Sequence, residues 1–378
     1  MIGHLKRAVT SSPLHVAGRA PAADLGNGRV RRGRLGAVAV AALCLALTAC
    51  ATTPQDSLNP AGEFARRADH LFKSVFIIVV LVFLIVEGAI VLFLVKYRER
   101  PGDAAPVQIH GHTRAEVIWT LIPALILAGV AIPTVKLIFD FAGVPRASNR
   151  VNVTVTGHQW WWQYDCKQGA KIVVTTANEL HIPVKKPVYL TLASKDVIHS
   201  FWVPRLNGKT DVVPGHTNHM TIEADRPGTY VGQCSQYCGI SHANMRLRVI
   251  AQTAGDYQAW VDAQSQKASS PTETLAQQGQ DLFLKGRNGA GYFGSRQQLA
   301  CSNCHTVAGT EAFGVTGPNL THVMSRQAFA GDIFEMNTEN LHNWLADAPK
   351  MKPGSDMPNL GLTDQEITAL LAYLQTLR

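Results

Sequence analysis

At 378 residues the chain is too long for one typical domain and long enough for two or three, each with its own core. The formal net charge is +8, but Lys6, Arg7, Arg19, Arg29, Arg31, Arg32 and Arg34 all fall within the first 35 residues. The excess is therefore an N-terminal feature, and a nucleic-acid partner is excluded as its explanation.

Arg29 to Arg34 precede a short apolar run over residues 35–47 that ends in Leu47-Thr48-Ala49-Cys50. A basic segment before an apolar core too short to span a bilayer reads as a secretory signal over residues 1–50. Its ending is similar to a bacterial lipoprotein cleavage box, which makes Cys50 the expected lipidation site. The competing reading is an ordinary signal or anchor in which Cys50 is incidental. Residues 75–95 and 117–139 are each apolar for about twenty residues, the length that crosses a hydrocarbon core, so a two-helix transmembrane hairpin is expected over 71–140. Lys96, Arg98, Arg100 and Arg114 lie in or beside the short connection, and positive loops stay in the cytoplasm. The chain should thus pass twice through the bacterial plasma membrane, with membrane lipid as a partner and everything after Phe139 outside the cytoplasm.

Beyond residue 150 the pattern changes to period two, with Val151, Val153 and Val155 alternating with Asn152, Thr154 and Thr156. Glycines and prolines punctuate these runs, which predicts an antiparallel β-barrel or sandwich over 150–251. Residues 252–274 are rich in Gln, Ser and Ala and read as a linker. Residues 275–378 carry helical spacing, plainest where Ile367, Leu370, Leu371 and Leu374 share one face, so an all-α domain closes the chain.

Two of the seven cysteines, Cys234 and Cys238, sit in a loop that also holds His242 and Met245. Soft sulfur with imidazole is the ligand set copper prefers, and two thiolates four residues apart can bridge two copper ions. A second imidazole is then required, and His199 in Asp196-Val197-Ile198-His199-Ser200-Phe201 is the candidate. A disulfide, or zinc with His242, is the competing reading; the first leaves both histidines idle and the second leaves Met245 unexplained. The segment Gly157-His158-Gln159-Trp160-Trp161-Trp162, the segment from Asp196 to Phe201, Lys209-Thr210-Asp211 with Pro214-Gly215, and the Cys-x3-Cys-x3-His-x2-Met loop together resemble subunit II of the haem–copper oxidases. That resemblance covers residues 71–260.

The resemblance implies a cupredoxin-type domain whose dinuclear copper centre (CuA) is held by His199, Cys234, Cys238, His242, Met245 and the backbone carbonyl of Gln236. It also implies that Trp160 is the surface tryptophan that takes electrons from a cytochrome c, with the fused haem domain itself as a candidate donor in this chain, and that Glu116 stands at the mouth of a proton path into subunit I. The bland reading of Glu116 is a helix N-terminal acid favoured by the dipole. The family often carries Glu where this chain has Gln236, and that side chain reaches a magnesium shared with subunit I. An amide is the weaker ligand for a hard cation, so this departure counts against magnesium. His158 and His181 read as structural histidines and Cys166 as a free thiol. Glu87 lies at membrane depth, where an ionisable group is expensive.

Cys301-Ser302-Asn303-Cys304-His305 is the attachment pattern for a covalent haem c, with Cys301 and Cys304 forming thioethers and His305 reaching the iron. Gly317-Pro318-Asn319-Leu320 follows, as in small class I cytochromes c. The second axial ligand is expected to be Met357, because Asp356-Met357-Pro358 is similar to that family's methionine-proline loop; Met351 is the runner-up. The whole is similar to the caa-type cytochrome c oxidases, in which subunit II carries a fused cytochrome c. That similarity implies a soluble or membrane-bound cytochrome c donor, passage of electrons through haem c and CuA to subunit I, and reduction of oxygen to water there coupled to proton translocation. Subunit III is a further expected partner. A CuA-containing nitric oxide reductase is the alternative; a quinol oxidase subunit is disfavoured by the intact copper set, and a copper-delivery protein by the haem motif.

Overall fold

The computed structural model describes residues 38, 42, 53–102, 104, 105, 107, 108, 111–143, 150–287 and 299–378. The signal segment and Cys50 lie outside the described residues, apart from Val38 and Ala42. Residues from Pro54 to Arg378 form one unit.

Helix α1 (Glu63–Lys96) and helix α2 (Thr113–Ala142) are long and apolar enough to cross a membrane, and both extend past the apolar runs that announced them. Almost none of their side chains is buried, as expected of faces made for lipid or another chain. Pro123 and Pro133 lie inside α2, a placement tolerated in membrane helices. At the end next to the sandwich the Arg67 guanidinium pairs with Asp140 and lies 5.6 Å over the Phe141 ring, tying the two helices together. The start of α1 is stitched to the following domain: Ala61 N donates to Arg205 O, Asp225 N donates to Ala61 O, and Arg66 pairs with Asp225. Any Cβ on Gly62 would stand 2.0 Å from Glu223 O, so the approach depends on glycine.

Ten strands follow as a two-sheet sandwich: β1 (Val151–His158), β2 (Trp161–Gln168), β3 (Lys171–Ala177), β4 (Glu179–Pro183), β5 (Val188–Ser194), β6 (His199–Trp202), β7 (Thr210–Val212), β8 (Asn218–Ile222), β9 (Gly228–Cys234) and β10 (Arg246–Gln252). One sheet runs β3-β2-β1-β5-β8 and the other β4-β10-β9-β6-β7. The alternation seen in the sequence becomes alternate burial, with Val153 and Val155 inward. The expected antiparallel sandwich is present, with two pairings that depart from it: β1 pairs with β5, and β4 with β10, in parallel. Period two reports which face is buried, not which strand lies alongside. Trp162, Tyr164 and Phe201 pack edge to face across the core.

The segment read as linker is helical over its first half, α3 (Ala254–Gln264). Thr253 caps it, its side chain accepting from Asp256 N, and Tyr257, Trp260 and Val261 at helical spacing pack on the sandwich. Large apolar side chains at three positions out of eleven outweigh the polar positions. The last domain contains α4 (Thr274–Lys285), α5 (Thr338–Met351) and α6 (Asp364–Leu374), with two very short two-stranded ladders (Thr306–Val307 with Ala312–Phe313, and Ala328–Phe329 with Phe334–Glu335). Helices α4 and α6 cross so closely that a Cβ on Gly279 would stand 1.9 Å from Ala369 O. Gly279→Ala should therefore destabilise this domain by about 1–3 kcal/mol through overpacking, read as a lowered unfolding midpoint of the haem-domain signal with the sandwich unchanged.

Candidate functional site

The pairing of β6 with β9 sets Phe201 opposite Cys234, which brings His199 at the start of β6 to the end of β9. The ligand atoms of His199, Cys234 and Cys238 all lie within 4.8 Å of one another, and all three residues are buried. The two sulfurs are 3.8 Å apart, far beyond the roughly 2.05 Å of a disulfide. Cys238 Sγ is also 3.5 Å from His242 Nδ1 and 3.8 Å from Met245 Sδ, and Cys234 Sγ lies 3.2 Å from Gln236 O. The loop is held by Cys234 N donating to Met245 O and Ser235 N donating to Ser200 O.

One atom tests whether this cluster suits a metal. His199 Nε2 donates to Asp196 Oδ1 at 2.7 Å, while Nδ1 is buried with no hydrogen-bond partner. A carboxylate that fixes one imidazole nitrogen and leaves the other bare is the usual support of a metal-ligating histidine. Gly157 makes room for that ring, since a Cβ there would stand 2.7 Å from His199 Cδ2. Protons report the same arrangement. The bond with Cys238, and then His199, hold the Cys234 thiol well below its ordinary range. Burial pulls the His199 imidazole down, but Asp196 and Cys234 outweigh it and leave it raised. An acidified thiol beside a basic imidazole is a place where a metal cation can replace a proton. The residues present fit a metal centre built from sulfur and imidazole donors, and Gln236 is exposed.

The second site is an apolar cleft with an empty volume of about 1490 Å³ including its open mouth, lined by Cys301, Cys304, His305 and Met357 among others. His305 Nδ1 donates to Pro318 O at 2.8 Å, which leaves Nε2 for an axial ligand position, and burial holds the ring below its ordinary value and neutral. A Cβ on Gly317 would stand 2.5 Å from the His305 ring. The cleft, its thiols and its neutral imidazole fit a covalent haem. Met357 and Pro358 line it and Met351 does not; Met324 and Met336 pack in the domain core.

Trp160, expected at the surface of the sandwich, is only 8% exposed, because Lys352 and Gly354 of the C-terminal domain, the domain named as its candidate donor, lie against it. Its Nε1 donates to Cys238 O at 3.0 Å, and the same side chain lines the haem cleft. The two domains are clasped around it. Arg248 on β10 reaches Asp332 Oδ1 at 2.5 Å and Gln327 Oε1 at 2.9 Å, and Glu179 Oε1 accepts from Gln327 N and Ala328 N. Arg246 N donates to Gly331 O at 2.9 Å. Lys352 Nζ donates to Trp160 O and Ala330 O, and burial pushes its ammonium down to about 7, with Cys238 opposing. Asp196 could have been found from its place three residues before His199. Nothing in the sequence marked Glu179, Arg248, Asp332 or Lys352, whose partners come from a different domain.

His158 Nε2 is buried without a partner among the described residues, whereas His181 Nδ1 is hydrogen-bonded to Gln252 Oε1 at 2.9 Å. Burial lowers each to about 4, and each stacks on a tryptophan, Trp161 and Trp260 respectively. Burial pushes Cys166 up to about 12, so it is an inert thiol. Glu116 is exposed in the first turn of α2, where its Oε1 accepts from His112 N while His112 Nδ1 accepts from Ala115 N, a reciprocal cap.

Comparison with known proteins gives three family matches: cytochrome c oxidase subunit II, transmembrane domain, over residues 53–137; cytochrome c oxidase subunit II, periplasmic domain, over 165–252; and cytochrome c over 276–378. The chain is 39% identical over 344 residues to cytochrome c oxidase subunit 2 of Alkalihalophilus pseudofirmus, covering 89% of this chain and 95% of that one. It is 30% identical over 356 residues to cytochrome c oxidase subunit 2 of Bacillus subtilis, covering 88% and 95%. Quinol oxidase subunit 2 of Bacillus cereus is 33% identical over 57% of this chain. Among solved structures, the periplasmic domain of subunit II of cytochrome oxidase from Bradyrhizobium japonicum matches with 28% identity and a TM-score of 0.30, covering 32% of this chain and 96% of that one.

Proposed function

The chain belongs to the family of cytochrome c oxidase subunit II and is subunit II of a haem–copper oxidase with a cytochrome c domain, and on that premise we propose that its residues form an electron relay running from the haem domain through Trp160 to the Cys234–Cys238 cluster. The observation that carries this reading is that one side chain serves both sites: Trp160 lines the haem cleft and donates to the carbonyl of Cys238.

His199, Cys234, Cys238, His242 and Met245, with the carbonyl of Gln236, would hold a dinuclear copper centre. Cys301 and Cys304 would carry haem c, with His305 and Met357 as the residues that would ligate its iron. Bound copper and haem c supply one-electron carriers with little change of geometry. Asp196 fixes His199 and Pro318 fixes His305, so neither imidazole has to reorient. The clasp of Arg248, Glu179 and Asp332 keeps Trp160 shielded from water.

In this reading a cytochrome c outside the cytoplasm reduces the haem domain, and subunit I, assisted by subunit III, takes the electron and reduces oxygen to water with proton translocation. Glu116 then stands at the cytoplasmic mouth of a proton path, in addition to capping α2. Lipid on Cys50 would be a further anchor. Magnesium is not part of the reading, since Gln236 offers only an amide. Metal analysis and electron paramagnetic resonance on the full chain in detergent test it: two coppers in a mixed-valence state and one haem per chain are expected. A single copper, or zinc held by the two thiols, would overturn it.

A further inference from the structure

Lys352 follows α5 at the edge of the haem domain, yet it is only 4% exposed. Its Nζ donates to Trp160 O at 2.6 Å and to Ala330 O at 2.8 Å. Gly331 adopts φ +84°, and a Cβ there would stand 2.6 Å from that Nζ and 3.0 Å from Trp160 O, so the backbone is shaped to admit both. Two residues beyond Lys352, Gly354 lies against the indole, where a Cβ would be 2.7 Å from Trp160 Cζ3. The same stretch of chain then reaches Met357 in the haem cleft. Burying an ammonium costs free energy that an apolar side chain would not incur. What the cation adds is direction, because charge-assisted bonds to two carbonyls of different domains fix the separation between them.

We propose that Lys352 is a positioning residue for electron transfer, holding the Trp160 peptide so that the indole keeps a fixed place between the haem cleft and the Cys238 carbonyl. The inference rests on the reading of Trp160 as the bridge, and it assigns to the haem domain a device that aligns the bridge of its neighbour. Lys350, on the exposed end of α5, has no such role.

The test uses the full chain in detergent, loaded with haem and copper, with variants Lys352→Met, Lys352→Gln, Lys350→Met and Trp160→Phe. Hydrogen–deuterium exchange at residues 159–161 and 330–332 reads the position of the bridge. Flash reduction of the haem reads transfer to copper, and the spectrum of each centre reads its integrity. Lys352→Met should speed exchange in both segments and slow haem-to-copper transfer about tenfold or more, the kind of loss that misplacement by about an ångström brings. Both spectra should stay unchanged, and Lys350→Met should alter nothing. Lys352→Gln keeps a donor without the charge and should recover part of both effects; if Lys352→Met fails to fold, the Gln variant carries the comparison with wild type. Unchanged transfer in the Lys352 variants, with slowed transfer in Trp160→Phe, would overturn the proposal and leave the bridge standing. Unchanged transfer in Trp160→Phe would overturn the bridge, and the role of Lys352 with it.

Discussion

Cys238→Ser should abolish the mixed-valence copper signal and cut electron delivery from the haem domain by more than two orders of magnitude, with the haem spectrum intact. Loss of an outer partner of a metal ligand already costs about 10–100-fold in affinity or activity, and Cys238 is more than an outer partner. Its sulfur lies 3.8 Å from Cys234 Sγ, 3.5 Å from His242 Nδ1 and 3.8 Å from Met245 Sδ, so it is the atom that the other thiol, the imidazole and the thioether of the loop all face. A hydroxyl in its place is a harder donor that does not become an anion near neutral pH, and a bridge between two copper ions needs an anionic, polarisable atom. Its backbone should survive the change: Cys238 O still accepts from Trp160 Nε1 and Gln159 Nε2, and His242 N still donates to Gly239 O. The apo variant should therefore unfold at the same temperature as the apo wild type, while copper analysis finds one ion or none. Two coppers and an unchanged resonance in Cys238→Ser would place the centre elsewhere.

The copper loop was legible because four of its candidate ligands fall within twelve residues of one segment, and thiolate, imidazole and thioether together suit few metals. His199 was legible only as the second imidazole that a dinuclear site requires and from the family resemblance; its proximity to Cys234 comes from the β6–β9 register, which alternation of Val and Thr does not encode. The parallel pairing of β1 with β5 was hidden for the same reason. The helix at Ala254–Gln264 was masked by composition, since Tyr257, Trp260 and Val261 decide its packing while small and polar residues fill the other positions. The burial of Trp160 was the deepest omission. It depends on Lys352, 192 positions away, and on Arg248 meeting Asp332, contacts between domains that each look complete in sequence. Polar residues that join domains carry no periodic signature, so Glu179 and Lys352 read as ordinary surface charges until the fold puts them inside.

Met357→Leu should leave the haem covalently attached but change its ligand field, and should lower its reduction potential by on the order of 0.1 V or more, a part of the roughly 0.8 V that axial ligands span. The thioethers depend on Cys301 and Cys304, and the histidine side depends on His305 Nδ1 donating to Pro318 O; none of these touches residue 357. Leucine keeps the apolar volume, so Met357 loses its sulfur and little else, and the domain core around Phe283, Leu370 and Tyr373 stays packed. A thioether opposite imidazole favours the reduced iron, and its removal makes the haem a weaker oxidant of its own donor. Reduction of the haem domain by an external cytochrome c should slow accordingly, while the copper resonance, which depends on the sandwich alone, should not move. Met351→Leu is the control: Met351 ends α5 and does not line the cleft, so its variant should keep the native haem spectrum. If Met351→Leu loses the strong-field spectrum and Met357→Leu keeps it, the loop at Asp356-Met357-Pro358 is not the axial arm, and the end of α5 must turn inward to reach the iron.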